Sequence, residues 1–196
     1  MRSLRGRAVQ AAALGCLLGL LAGCAGTPHE RGDVRVAFAP ARPAFDLAGR
    51  LSIRRSGEAL TANFRWQHKP GQDQIDLASP MGQTLARLYS GPGMASLQMA
   101  DGRVETAADW TALAARALDW SLPVTGLVFW IQGTPRPDAA FIVEAGAGSE
   151  PGVLRQDGWT IEYLAFAEDE SGVPRPARMV LSYPDVELRL AVDAWQ

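Results

Sequence analysis

Groups that do chemistry are scarce in this chain. Two histidines, His29 and His68, and two cysteines, Cys16 and Cys24, are its whole stock of imidazoles and thiols. No G-x-S-x-G, H-E-x-x-H or C-x-x-C spacing and no phosphate-cradling glycine loop occurs. Nucleophilic, zinc and nucleotide chemistry therefore lack carriers, and the expectation is a non-enzyme with no metal and no cofactor. His68 stands beside Lys69-Pro70 and reads as a solvated turn residue; Glu168-Asp169-Glu170, followed by Ser171-Gly172, reads as a solvated loop tip. Basic excess is absent too. Lys69 is the sole lysine and the formal net charge is −2, which argues against nucleic acid as a partner. The one long apolar run, Ala8 to Leu21, is too short to cross a bilayer.

What is present at the N-terminus gives that run a meaning. Arg2, Arg5 and Arg7 precede it, and Leu21-Ala22-Gly23-Cys24 follows, with small residues just before a cysteine. This is the pattern of a lipoprotein signal peptide over residues 1–23, cut before a Cys24 that carries the lipid. An ordinary secretory signal with an incidental Cys24 is the alternative. Cleavage removes three arginines and Cys16, leaving 173 residues, a net charge of −5 and no partner for a disulfide. Residues 24–44, with Pro28, Pro40 and Pro43, show no sustained period and read as a tether. Residues 45–196 are long enough for one domain.

From Phe45 the pattern has period two. Leu51 and Ile53, then Leu60 to Trp66, then Ile75 and Leu77 alternate with polar neighbours, as do segments Leu85–Tyr89, Ala95–Met99 and Arg103–Glu105. Thr106 is placed to cap a helix in which Trp110, Leu113, Ala114 and Ala117 recur at helical spacing. Leu127 to Ile131 reads as a second helix by context, with a buried strand as the alternative. Strands resume over Val153–Gln156, Trp159–Ala165, Arg178–Tyr183 and Val186–Val192, with a type I′ turn expected at Asp157-Gly158. About ten antiparallel strands interrupted once by a helical pair make a mainly β fold with some α: a sheet curled into a barrel or half-barrel, its open side covered by helices.

Six tryptophans are spread over these elements, either as core filling or as the lining of an apolar cavity between sheet and lid; composition leaves both open. The candidate lining is Leu51, Phe64, Trp66, Ile75, Leu77, Leu97, Trp110, Leu113, Leu127, Trp130 and Trp159.

Several short segments, in order, resemble one family. They are Gly49-Arg50-Leu51-Ser52-Ile53, Ala62-Asn63-Phe64-Arg65-Trp66, Ile75-Asp76-Leu77 with Ser79-Pro80-Met81-Gly82, Leu122-Pro123-Val124 with Leu127, Trp130-Ile131-Gln132-Gly133, Gln156-Asp157-Gly158-Trp159 and Asp193-Ala194-Trp195. The chain is similar over Phe45 to Gln196 to the LolB family, outer-membrane receptors of the lipoprotein localisation pathway. The resemblance implies a half-open antiparallel β-barrel with a helical lid. It implies a monomer, lipid-anchored in the outer membrane of a Gram-negative bacterium and facing the periplasm. Its partners would be a LolA-type lipoprotein carrier, the acyl chains of lipoproteins and outer-membrane phospholipid. Ala25 after Cys24 is not the aspartate of an inner-membrane retention signal. An apolar loop residue, usually leucine in the family, is tied to membrane insertion of the cargo; Met81, flanked by Pro80 and Gly82, matches it here. A lipid-anchored scaffold or adaptor is the alternative function and would need a filled interior; a hydrolase would need an acid-base pair that is not found.

Overall fold

Period-two alternation is what a strand needs when one face is buried and the other wet, and it produces the sheet directly. The computed structural model describes residues 37–195 apart from 118–123 and 147–149; the signal peptide, Cys24 and Trp120 lie outside these residues. The strands are β1 (Phe45–Arg55), β2 (Glu58–Lys69), β3 (Gln72–Ala78), β4 (Thr84–Gly91), β5 (Met94–Met99) and β6 (Val104–Ala107). Helices α1 (Trp110–Ala117) and α2 (Val124–Trp130) follow, then β7 (Phe141–Ala145), β8 (Pro151–Gln156), β9 (Trp159–Glu168), β10 (Pro174–Tyr183) and β11 (Val186–Trp195). All belong to one antiparallel sheet in the order β6-β5-β4-β3-β2-β1-β11-β10-β9-β8-β7. Two meanders are thus sewn together along the first and last strands, and the helical connection runs from one outer edge, β6, to the other, β7. The sheet is open rather than closed.

Local chemistry sets most of these elements. Asp157 (φ 53°) and Gly158 (φ 80°) both take the left-handed conformation that a type I′ hairpin requires. Between β1 and β11 the register slips at Ala48/Gly49, leaving Asp193 as the extra residue of a bulge. A Cβ on Gly49 would fall 2.1 Å from the Ala191 carbonyl oxygen, so only glycine permits this close approach of the seam strands. The outer face carries cross-strand ion pairs, Arg65 with Asp46, Arg87 with Asp76 and Arg50 with Asp193, which keep it wetted and favour this register more than they stabilise it.

Four sequence expectations are corrected. The eleventh strand is β7, whose consecutive apolar residues Phe141, Ile142 and Val143 do not alternate. The first helix is capped by Asp109, whose Oδ1 accepts from Ala112 N at 2.8 Å; Thr106 is drawn instead into β6, where it pairs with Ser96. β10 begins at Pro174 rather than Arg178, the prolines falling at the strand start and beside a register slip, where a missing N–H costs no ladder bond. The segment expected to be tether up to residue 44 is bonded to the body from Pro40: its carbonyl accepts from Arg175 Nη1, and Arg42 N donates to Gln132 Oε1 at 2.7 Å.

Candidate functional site: an apolar cavity under a helical cover

The two halves of the sheet are filled differently. On the β7–β11 side, Trp130, Leu154, Trp159, Ile161, Tyr163, Met179 and Leu181 pack into a solid core with α2. Two polar groups inside it are paired, Trp130 Nε1 donating to Gln156 Oε1 at 2.8 Å and Tyr163 Oη to the Trp130 carbonyl at 2.9 Å, whereas Trp195 Nε1 at its margin is buried without a partner. Burial pushes the Tyr163 phenol above its ordinary pKa and keeps it a donor. On the β1–β6 side a smaller cluster of Ala95, Leu97, Trp110 and Leu113 holds α1 against β5 and β6.

Between the two clusters lies a cavity of about 530 Å³, within the size range of small-ligand sites. Leu51, Phe64, Trp66, Ile75, Leu77, Leu97, Trp110, Leu113 and Leu127 line it, nine residues singled out from the sequence and brought together from four strands and two helices. Trp130 and Trp159 do not line it and are corrected on that ground: both are packed wholly within the solid core. Ile53, Leu60, Leu85, Ala86, Leu88, Met99, Ile131, Leu188 and Leu190 also form the wall and were not anticipated. Ile53, Leu60, Leu188 and Leu190 continue alternations visible in the sequence; nothing local distinguishes the others from ordinary core. Among the described residues that line it, charge enters only at the rim of the β5–β6 turn, where Arg103 Nε meets Asp101 Oδ2 at 2.7 Å. The Arg103 backbone N–H, and then its guanidinium, hold the Asp101 carboxyl below its usual pKa, so the rim is a neutralised pair.

Met81 projects from the β3–β4 turn and is 93% exposed, in contact with no core cluster. Gly82 (φ 83°) closes that turn. Two polar residues read as solvated are not. His68 Nδ1 lies 2.7 Å from Asp73 Oδ1, which also accepts from Trp66 Nε1 at 2.8 Å, and the imidazole lies against the Phe45 ring. Asp169 is buried between Arg42 and Arg175 at 2.8 and 3.1 Å. Among the described residues no group of three or more His, Cys, Asp or Glu is placed to hold a metal, and no helix is long and apolar enough to cross a membrane.

An open antiparallel sheet wrapped round an apolar cavity, covered by helices that link its two edges, defines a β-domain built as a container. Comparison with known proteins makes the class specific. The family profile described as "Outer membrane lipoprotein LolB" matches residues 43–195. The outer-membrane lipoprotein LolB of Thiobacillus denitrificans is 38% identical over 186 residues, covering 94% of this chain and 96% of that protein. That of Azoarcus sp. is 32% identical over 185 residues, covering 94% of each. Among solved structures, a LolA superfamily protein from Nitrosomonas europaea shares the fold, with a TM-score of 0.50 at 10% identity over 81% of this chain and 87% of that one. A DUF1329 family protein from Desulfovibrio piger has a TM-score of 0.52 at 11% identity, over 79% and 85%. The chain belongs to the LolB family of outer-membrane lipoproteins.

Proposed function

We propose that this protein accepts lipoproteins from a LolA-type periplasmic carrier, holds their acyl chains in the cavity and inserts them into the outer membrane. The cavity carries the reading, because its described wall is apolar apart from a neutralised pair at the rim. An acyl chain of about fifteen methylenes costs on the order of 12 kcal/mol to expose to water, so crossing the periplasm requires a protein interior in place of the bilayer. Transfer without an energy source then needs a ladder of affinities: receptor above carrier, membrane above receptor. A scaffold would need no such hollow.

Cys24, triacylated, anchors the domain, and the residues after it act as tether. The domain works as a monomer on the membrane surface, without cofactor, nucleotide or nucleic acid. Met81 is the insertion device: an apolar side chain held in water gains by entering lipid. Met81→Glu is expected to leave folding and uptake from the carrier intact and to block insertion, since a carboxylate is costly in a bilayer and cheap at a solvated turn. Met81→Leu is expected to keep full activity. Normal insertion by the glutamate variant would remove Met81 from the mechanism.

A further inference from the structure

Leu77 and Leu85 both line the cavity, and the chain between them is the turn that presents Met81. The turn is braced. Gly82 N donates to Ser79 O at 2.8 Å, Ser79 N to Gln83 O at 2.7 Å, and Asn63 Nδ2 reaches Ser79 O at 3.4 Å. Beside it the wall is incomplete. β2 pairs with β1 from Arg55↔Glu58 onwards, but its ladder with β3 starts only at Asn63↔Ala78. Residues 58–62 therefore overhang the end of β3, and the same register continued would set Leu60 opposite Met81. Leu60 lines the cavity and is also 47% exposed. A residue that belongs to the cavity wall and also meets water marks a place where interior and solvent join.

The geometry points to the notch between this β2 overhang and the Ser79–Gln83 turn as the portal by which an acyl chain passes between cavity and bilayer, with Leu60 as its sill. The inference rests on the receptor reading above and adds a route to it. Leu77, Leu85 and Leu60 on the cavity wall and the exposed Met81 are all apolar, so a chain leaving this way would meet apolar side chains on its path. The neighbouring rim at the β5–β6 turn offers instead the charged pair Asp101 and Arg103.

The test uses the full-length chain reconstituted in phosphatidylethanolamine and phosphatidylglycerol vesicles, given a triacylated lipoprotein on a LolA-type carrier. Cargo co-isolated with the receptor measures uptake, and the appearance of alkali-resistant cargo measures insertion. Leu60→Gln is expected to insert each bound cargo about tenfold more slowly, a loss larger than any change in uptake, because the amide must be passed without a hydrogen-bond partner. Leu60→Met should restore the rate. Leu60→Thr repeats the polar change with a side chain suited to a strand. Val104→Gln, at an exposed apolar position on β6 that does not itself line the cavity, should have no effect. Insertion at the wild-type rate in both polar Leu60 variants, an equal slowing in Val104→Gln, or a loss of uptake matching the loss of insertion would each overturn the portal. Met81→Glu separates the two ideas: if it blocks insertion while the Leu60 variants do not, the portal falls and the receptor reading stands.

Discussion

Asp169 shows how far a single side chain can depart from its local sequence. Burial opposes its ionisation, yet the N–H of Val173, the Arg175 guanidinium, the N–H of Ser171 and the charge of Arg42 together hold its carboxyl below the ordinary range. The folded state therefore releases this proton more readily than the unfolded chain does. Its contribution to stability is complete above the unfolded carboxylate pKa of about 3.9 and is lost as pH falls through the lower folded value. Asp169→Asn, which leaves Arg175 buried without its countercharge, should lower the melting temperature by several degrees at neutral pH. The gap from wild type should hold down to about pH 5 and narrow below about pH 4. A gap unchanged at strongly acid pH would show that the carboxylate charge is not what the pocket stabilises. The sequence around it, three acids before Ser171-Gly172, reads as a solvated tip because Arg42 lies 127 residues away. His68 is misread for a similar reason, since the Phe45 ring that covers it comes from another strand.

At the scale of elements, the two helices divide the labour. α1 lies on β5 and β6 beside the cavity, whereas α2 is welded to the solid half. Gly126 is where that weld is tightest: a Cβ there would fall 2.5 Å from Trp130 Cζ2, and the indole is fully buried and held by Gln156. In an open helix Gly→Ala is favourable by about 1 kcal/mol. Here the overpacking cost of about 1–3 kcal/mol opposes it, and because the ring cannot retreat, Gly126→Ala should destabilise the protein, as a shifted denaturant midpoint at unchanged slope. A stabilised variant would show that Trp130 moves. Strands were the most legible elements, since a half-buried strand must alternate. β7 escaped because an edge strand, with four of its five residues exposed, is under no such pressure. The start of α1 was misplaced by a local rule: Thr106 suits a cap, but its pairing with Ser96 across β5 and β6 claims it first, and Asp109 caps the helix three residues on.

For the whole molecule, the decisive feature is that one half of the sheet is hollow and the other filled. Ala86, on the hollow side and part of the cavity wall, is the position that separates the two properties. Ala86→Phe should insert its ring into free space, leave the melting temperature close to wild type and reduce the binding of a fluorescent fatty acid; a comparable enlargement in a packed core would cost about 1–3 kcal/mol. Unchanged fatty-acid binding would argue that the hollow is not the acyl site. The positions of ten of the strands, to within a few residues, and the Asp157-Gly158 hairpin followed from the sequence alone, because alternation and turn chemistry are local. Nine of the cavity residues were legible for the same reason. Which buried faces meet each other and which enclose space was decided only by the tertiary structure. Trp130 and Trp159 have the same apolar signature as Trp110, but they pack wholly into the solid core, while Trp66 belongs to that core and also faces the cavity. Local pattern determines that a side chain leaves water; the long-range pairing of the first strand with the last determines whether it finds packed neighbours or a cavity.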